Sequence, residues 1–465
     1  MSARRAVAAL AALLAGCATF SEDGGFTAVE TVAQERLGKQ ARWLRSDADE
    51  QNAAQVVRKL LEHPLTADDA VQIALLNNRG LQATYADLGI AESFLVQAGR
   101  LPNPRLSYLR ARHGDEFKIE TVFTLNLFAF VTLPLATAIE ERSFEQTKLA
   151  VALEVVRTAN ETRRAWMNAV SAQESARYME QVRLAAEAGA DLARRMAQAG
   201  NFSKLTQARE QVFYADAAAS LARAQQTARS ERERLARLMG LWGEDLEFTL
   251  PERLPDLPQT ATEMRDAEQR AIAGRLDLDA AKRDLEGLSK SLGLTRATRF
   301  INALEFGPAR ITETPEARKR GYEISLDIPL FDWGSARVAQ AESLYMQAVN
   351  HTAELAINAR SEVRDAYSAY RTAYDLARHY RDEIVPLRKK ISEENLLRYN
   401  GMLASVFELL ADARDQVASV NAYLDALREF WLAEADLQMA MSGKPAGRAI
   451  RRPMGLPAGG APAAH

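Results

Sequence analysis

Cysteine is almost missing from this chain: its 465 residues contain one, Cys17. No disulfide can form within the chain and no cysteine cluster can hold a metal. An excess of one charge sign is missing too, because 59 lysines and arginines face 62 aspartates and glutamates for a net charge of −3. That balance argues against a nucleic-acid surface as the main business. Beyond residue 16 no stretch approaches the ~18 consecutive apolar residues of a spanning helix, so a membrane could be crossed only with strands. His63, His113, His351, His379 and His465 show no ligand spacing, and no nucleophile–base pairing or phosphate loop occurs. Neither enzyme chemistry nor a resident cofactor or metal is expected.

The N-terminus does carry a pattern. Arg4 and Arg5 precede the apolar segment Ala6 to Leu14, and Leu14-Ala15-Gly16-Cys17 reads as the cleavage site of a bacterial lipoprotein signal. Residues 1–16 are then expected to be removed, leaving Cys17 to carry diacylglycerol and an acyl chain such as palmitate. Ala18 follows where an aspartate would retain such a protein at the inner membrane. Residues 17–64 read as an extended arm leading away from the anchor.

From Leu65 onward the chain says everything twice. Leu205, Ala208, Val212, Ala215, Ala219 and Ala222 keep a 3-4-3-4 apolar rhythm, and Leu410, Ala413, Val417, Val420, Leu424 and Leu427 repeat it 205 residues later. Arg163, Trp166 and Gly200 recur as Arg364, Tyr367 and Gly401 at a spacing of 201, and Ala74, Leu81 and Asp87 as Ala271, Leu278 and Asp284 at 197. Spacing that drifts at turns and holds inside helices marks a duplicated unit. The copies span 65–242 and 262–443, joined by a proline-rich acidic connector, 243–261, expected to run over the surface. A basic tail rich in proline and glycine, 444–465, is expected to be disordered.

Each copy holds one stretch of period two. Phe117, Ile119, Thr121, Phe123, Leu125 and Leu127 alternate with Lys118, Glu120, Val122, Thr124 and Asn126; Tyr322, Ile324, Leu326, Ile328 and Leu330 alternate with Glu323, Ser325 and Asp327. Such alternation predicts strands with one apolar and one wet face. A weaker strand precedes each, Arg105 to Ala111 and Phe300 to Phe306. The strand regions together cover about 104–133 and 300–331, with Lys118, Glu120, Glu323 and Asp327 as candidates for the wet wall.

Elsewhere the period is helical. A leading helix starts at Thr66 and runs to about Gly99. After Pro134 a helix is expected from Ala136 to Ala199, on the order of 95 Å long at the helical rise, and Ser335 to Tyr399 is its counterpart, with a kink expected at Pro386. Returning helices start at Ser203 and Val406, and each copy is expected to build one antiparallel layer whose seams are the 3-4 rhythm. Four amphipathic strands cannot close a barrel, and open edges are not tolerated in lipid. Three chains would give twelve strands, an allowed barrel size. The expected fold is mainly α with a membrane β-barrel part: a duplicated helix, hairpin, long helix and returning helix, four strands per chain in a trimeric barrel, continued by a periplasmic α-helical barrel.

The chain resembles the TolC-type outer membrane efflux family, particularly its lipid-anchored branch, from Leu65 to Gly443. The resemblance lies in Leu65-Thr66 with Ala74-Leu75 and Asn77-Asn78, Leu101-Pro102-Asn103-Pro104, Ile328-Pro329-Leu330-Phe331-Asp332 with Gly334, Ile384-Val385-Pro386-Leu387, and Arg398-Tyr399 through Gly401 to Ser405. The first copy departs from it, reading Leu133-Pro134-Leu135-Ala136. The family implies a homotrimer in outer membrane lipid, acting as the exit duct of an inner membrane efflux pump docked through a periplasmic adaptor protein. It also implies that Glu408, with Asp412, forms an acidic constriction, and that Gly200-Asn201 and Gly401-Met402 are adaptor-docking turns. A lipid-anchored coiled-coil adaptor or scaffold without a pore is the competing reading, and it has no use for two amphipathic hairpins at equivalent places. The cargo cannot be read from the sequence.

Overall fold

The computed structural model describes residues 19–264, 266–300, 304–316 and 318–444. The signal peptide, Cys17 and nearly all of the tail lie outside the described residues. Two helices come first, α1 (Thr27–Leu37) and α2 (Asp47–Leu61). The first copy then runs α3 (Ala67–Asn77), α4 (Arg79–Ala98), β1 (Arg105–His113), β2 (Glu116–Asn126), α5 (Leu127–Gln198) and α6 (Lys204–Met239). The second runs α7 (Ala267–Gly274), α8 (Leu276–Thr298), β3 (Leu304–Glu313), β4 (Lys319–Leu326), α9 (Ser335–His379), α10 (Val385–Asn400) and α11 (Val406–Ser442). The strands form one antiparallel sheet in the order β1-β2-β3-β4.

The single leading helix expected from Thr66 is two helices. Thr66 and Asp69 close a capping box on α3, and Asn78 then turns extended, its side chain accepting from Leu81 N–H to start α4. The second copy breaks at Arg275, 197 residues later and also extended. Both breaks do the same work on the returning helix. Asn78 donates to the Leu238 carbonyl at 2.8 Å, and Asn77 to those of Met239 and Gly240; Arg275 donates to the Ala440 carbonyl at 3.1 Å. Each thereby satisfies carbonyls that the end of a helix leaves without partners.

The strand-to-helix junction of the first copy lies earlier than Pro134 predicts. Asn126 caps α5 through Ala129 N–H at 3.1 Å, so β2 ends there and residues 127–133, expected in the strand region, are helical. Pro134 sits inside the helix; it removes only the donor to the Phe130 carbonyl, and the helix continues. The 72 residues of α5 span about 110 Å. In the second copy β4 ends at Leu326, well short of 331, so Asp327 lies just beyond the strand. Pro386 is accommodated without breaking the rod. Residues Tyr380–Ile384 form one π turn, Val385 N–H reaching back to the Tyr380 carbonyl, which leaves Pro386 in the first turn of α10 where no intrahelical donor is required.

The copies interlock instead of forming separate layers: α5 packs on α6 and α4 of its own copy and on α8 and α11 of the other. Residues 19–64 are not an extended arm, since Phe26, Val29 and Ala33 are buried and the Phe26 ring meets Tyr85 edge-on at 4.9 Å. The connector does not lie over the surface either. Its leucines Leu250, Leu254 and Leu257 enter the largest core with Trp166, Tyr370 and Phe430, while Tyr374 donates to the Gln259 carbonyl at 2.7 Å and Thr262 N–H donates to Tyr370 at 3.0 Å. The prolines between those leucines keep the segment extended while every third or fourth side chain turns inward.

The joint at Arg275 closes the second copy. Its side chain, 2% exposed, pairs with Asp277 at 2.6 Å and Glu362 at 2.9 Å, and Lys444 adds a bond to each of those acids. Burial pushes the Glu362 carboxyl up, and the bonds from Lys444 and Arg275 outweigh it and hold the group below its ordinary 4.5. Removing one partner of a buried pair costs about 3–5 kcal/mol. Arg275→Ala is therefore expected to lower stability by about that much in chemical denaturation followed by the helix signal. A carboxyl held low when folded contributes stability above the unfolded value that is lost as pH falls through the folded one, so wild type should weaken on acidification below pH 4.5 and Glu362→Gln should show a flatter acid limb.

Candidate functional site

The sheet and the helical turns at the far end of the rods are the two places where functional residues were expected. Cross-strand register assigns every strand residue to a face, because residues directly opposite each other share one. Lys118, Glu120 and Glu323 lie on the same face, where Lys118 pairs with Glu120 at 3.4 Å. Asp327 continues that alternation from just beyond the strand and is exposed. Glu305, Glu313 and Lys319 join this face, and sequence reasoning missed them. The opposite face carries Leu106, Tyr108, Phe123, Phe306, Tyr322 and Ile324, all exposed. On the central strand β2 the wet face encloses Val122 and Thr124 at 6% and 7% exposure, whereas Tyr322 on the apolar face stands 72% exposed; the outer strands β1 and β4 are exposed on both faces. Water-soluble proteins arrange their sheets the other way round.

Strand β3 runs to Glu313, beyond the Phe300–Phe306 expected, because Gly307-Pro308 is a step within the strand and does not end it. Pairing between β2 and β3 skips Phe123 and Thr124 opposite these two residues. A side chain at Gly307 would place its Cβ 1.6 Å from the Phe123 carbonyl oxygen, so the close approach demands glycine. No signal in one sequence separates such a step from a loop.

At the other end, α5 turns into α6 through Gly200, whose φ of +82° is left-handed, and Ser203 caps α6 through Thr206 N–H at 3.1 Å. The second turn is built differently from its repeat partner. Gly401 has an ordinary φ of −80°, and the left-handed residue is Met402, at φ +62° and 94% exposed. Asn201 is exposed beside Gly200. Ser405 caps α11 through Glu408 N–H at 3.4 Å, leaving the Glu408 side chain exposed one turn from the tip. Asp412 is only 7% exposed, so the two acids predicted to act together differ in access. Above them Glu210 on α6, 5% exposed, pairs with Arg414 on α11 at 2.8 Å and ties the two hairpins of the chain together.

The 3-4 seam of the first returning helix is left uncovered by the described residues. Leu205, Ala208, Val212, Ala215, Ala219 and Ala222 are all exposed, and α6 instead buries Glu210, Ala217 and Leu221. In the second copy the corresponding Leu424 and Leu427 are buried.

Among the described residues no three His, Cys, Asp or Glu side chains gather to hold a metal, and no helix is long and apolar enough to cross a membrane. The two glycines can be told apart by substitution. A left-handed residue with a Cβ costs about 1–2 kcal/mol, so Gly200→Ala should destabilise the tip by about 1 kcal/mol, read as faster hydrogen exchange in residues 196–206. Gly401→Ala should be nearly neutral in residues 397–408.

No family model and no curated protein matches the chain. Solved structures do. The outer-membrane channel OprN aligns at 19% identity and TM-score 0.69, over 84% of this chain and 92% of that one. CusC, described in terms of folding and transmembrane channel formation, aligns at 17% identity and TM-score 0.68, over 81% and 92%. The open state of the Neisseria gonorrhoeae MtrE outer membrane channel aligns at 17% identity and TM-score 0.66, over 81% and 88%. Two hairpins in one four-stranded sheet, set on duplicated helical rods, are thus the TolC-type outer membrane channel fold that the sequence resembles.

Proposed function

We propose that this chain is the outer membrane exit duct of a tripartite efflux or secretion system, a passive channel that takes cargo from an inner membrane pump through a periplasmic adaptor. The observation that carries the reading is the sheet. It exposes an apolar face, encloses Val122 and Thr124 on the wet face of its central strand β2, and leaves β1 and β4 each with one unpaired edge. In hydrocarbon every backbone donor and acceptor needs a partner, and three copies joined edge to edge supply them in a twelve-stranded barrel. The wet face, with Lys118, Glu120, Glu323 and Asp327, then lines the pore. The exposed seam on α6 is covered by the neighbouring copy, so the rods close into a periplasmic tunnel. Cys17, lipidated, anchors the chain to the same membrane.

The turns at Gly200-Asn201 and Gly401-Met402 dock the adaptor, and Met402 offers an exposed apolar side chain for it. Three copies of Glu408 form a cation-attracting ring at the tunnel's lower end. Asp412, enclosed within the chain, faces that passage only if the hairpins part.

The purified protein is expected to run as a heat-dissociable trimer in detergent and to open pores in planar bilayers. Ala219→Glu, a charge placed in the uncovered seam, should shift it to monomer without loss of helix signal; a trimer of unchanged stability would remove the seam from the assembly. Glu408→Ala should weaken block by divalent cations added on the tip side, and unaltered conductance and block would retire the ring. A protein that stays monomeric and never conducts would be the adaptor or scaffold instead.

A further inference from the structure

The outward face of the sheet carries a second pattern that a channel wall does not require. Acids are confined to one face, while basic residues occur on both, with Arg105, Lys118 and Lys319 among the acids of the wet face. Every acid within the strands, from Glu116 and Glu120 to Glu305, Glu313 and Glu323, lies on the wet face, while the apolar face carries only arginines: Arg110, Arg112, Arg310 and Arg320. They occupy one end. Moving along that face from the helices toward the hairpin turns, the rows Leu304–Leu326, Phe306–Ile324 and Pro308–Tyr322 are apolar, and the next row pairs Arg310 with Arg320. All four arginines are exposed.

Two like charges directly opposite on neighbouring strands are destabilising, and the described residues of this face hold no carboxylate to relieve Arg310 and Arg320. Arg110 lies two strands away from Arg310 and one row nearer the turns, level with Ile119 and Thr312, on the order of 12 Å at the spacings of a sheet, so the arginines form a cluster across two adjacent rows. Arginine forks suit phosphate oxygens in geometry and charge. We propose that this cluster of arginines binds the phosphate groups of an anionic lipid headgroup, in the leaflet that surrounds the hairpin turns, with the apolar rows below receiving its acyl chains. The proposal rests on the barrel reading, which makes this the lipid side. It commits to a lipid because the cationic cluster borders an exposed apolar band of Tyr108, Phe123, Phe306 and Tyr322; a site for a free anion would have no use for one.

The test uses the full-length protein in neutral detergent, with and without bisphosphorylated lipid A, dephosphorylated lipid A or inorganic phosphate. The readouts are lipid retained in native mass spectrometry and the dissociation temperature of the trimer. Bisphosphorylated lipid A should be retained and should raise that temperature, and the other two additions should not. The single variants Arg310→Gln and Arg320→Gln should each weaken retention roughly fivefold, and Arg110→Gln with both on the order of a hundredfold. Lys118→Gln, on the opposite face, should retain lipid like wild type. Equal retention of dephosphorylated lipid, an equal effect of inorganic phosphate, or arginine variants that hold lipid as wild type does would each overturn the proposal. Pore conductance of the same preparations separates the two claims: conducting pores with no phosphate-dependent retention remove the lipid site alone, and absence of pores removes the barrel and this site with it.

Discussion

Everything in this molecule answers to the need of each backbone N–H and C=O for a partner. A four-stranded sheet leaves two edges, and β1 and β4 hold them. In water those edges would be solvated, and the apolar face would be covered by a helix. Among the described residues nothing covers Tyr108, Tyr322 or Ile324, which are exposed. On the proposed reading lipid meets the greasy face and strands of other copies meet the open edges.

The same accounting governs the joints between helices. A helix that ends inside a bundle strands its last carbonyls, and each copy solves this at the break in its leading helix. The first uses amides, Asn77 and Asn78, on the end of α6; the second uses the Arg275 guanidinium on the end of α11. The substitution of arginine for asparagine has a further consequence. A guanidinium brings a charge into the core, so Asp277 and Glu362 must be there to meet it, and Gly443 must lack a side chain because a Cβ would lie 2.5 Å from Asp277. Duplication preserved the mechanical task while the residues performing it diverged.

That divergence explains what one sequence could and could not disclose. Period-two alternation at Phe117 and Tyr322, the 3.6 period, and the repeat spacing all report continuous geometry, so sheet, rods and duplication were legible. Punctuation residues were misleading where tertiary context overrides them. Pro134 reads as a helix start and is inside one; the strand expected to end at Phe306 continues through Gly307-Pro308 to Glu313; prolines of the connector suggest a surface path, yet Leu250, Leu254 and Leu257 fill the core. At the tips, Gly200 and Gly401 align in sequence, but the left-handed position moved to Met402. Access, which separates exposed Glu408 from enclosed Asp412, depends on which neighbour covers each helix face.

The seam on α6 sharpens this last point. A 3-4 apolar rhythm states that a helix has a partner, and it does not say in which chain. In the second copy the far end of the rhythm is satisfied internally, since Leu424 and Leu427 are buried, while Ala413 nearer the tip is exposed. In the first, all six seam positions, Leu205, Ala208, Val212, Ala215, Ala219 and Ala222, are exposed, although the same helix buries Glu210, Ala217 and Leu221 against its own chain. One helix thus has two contact faces, one internal and one awaiting a neighbour. Alanine dominates the waiting face, which suits close approach of another rod more than burial beneath a loop. The uncovered sheet edges and the uncovered seam lie toward opposite ends of a rod about 110 Å long. A scaffold pairing through helices alone would account for the seam and leave the edges open. A ring of copies would cover both with one arrangement, which ties the proposed tunnel to the proposed barrel.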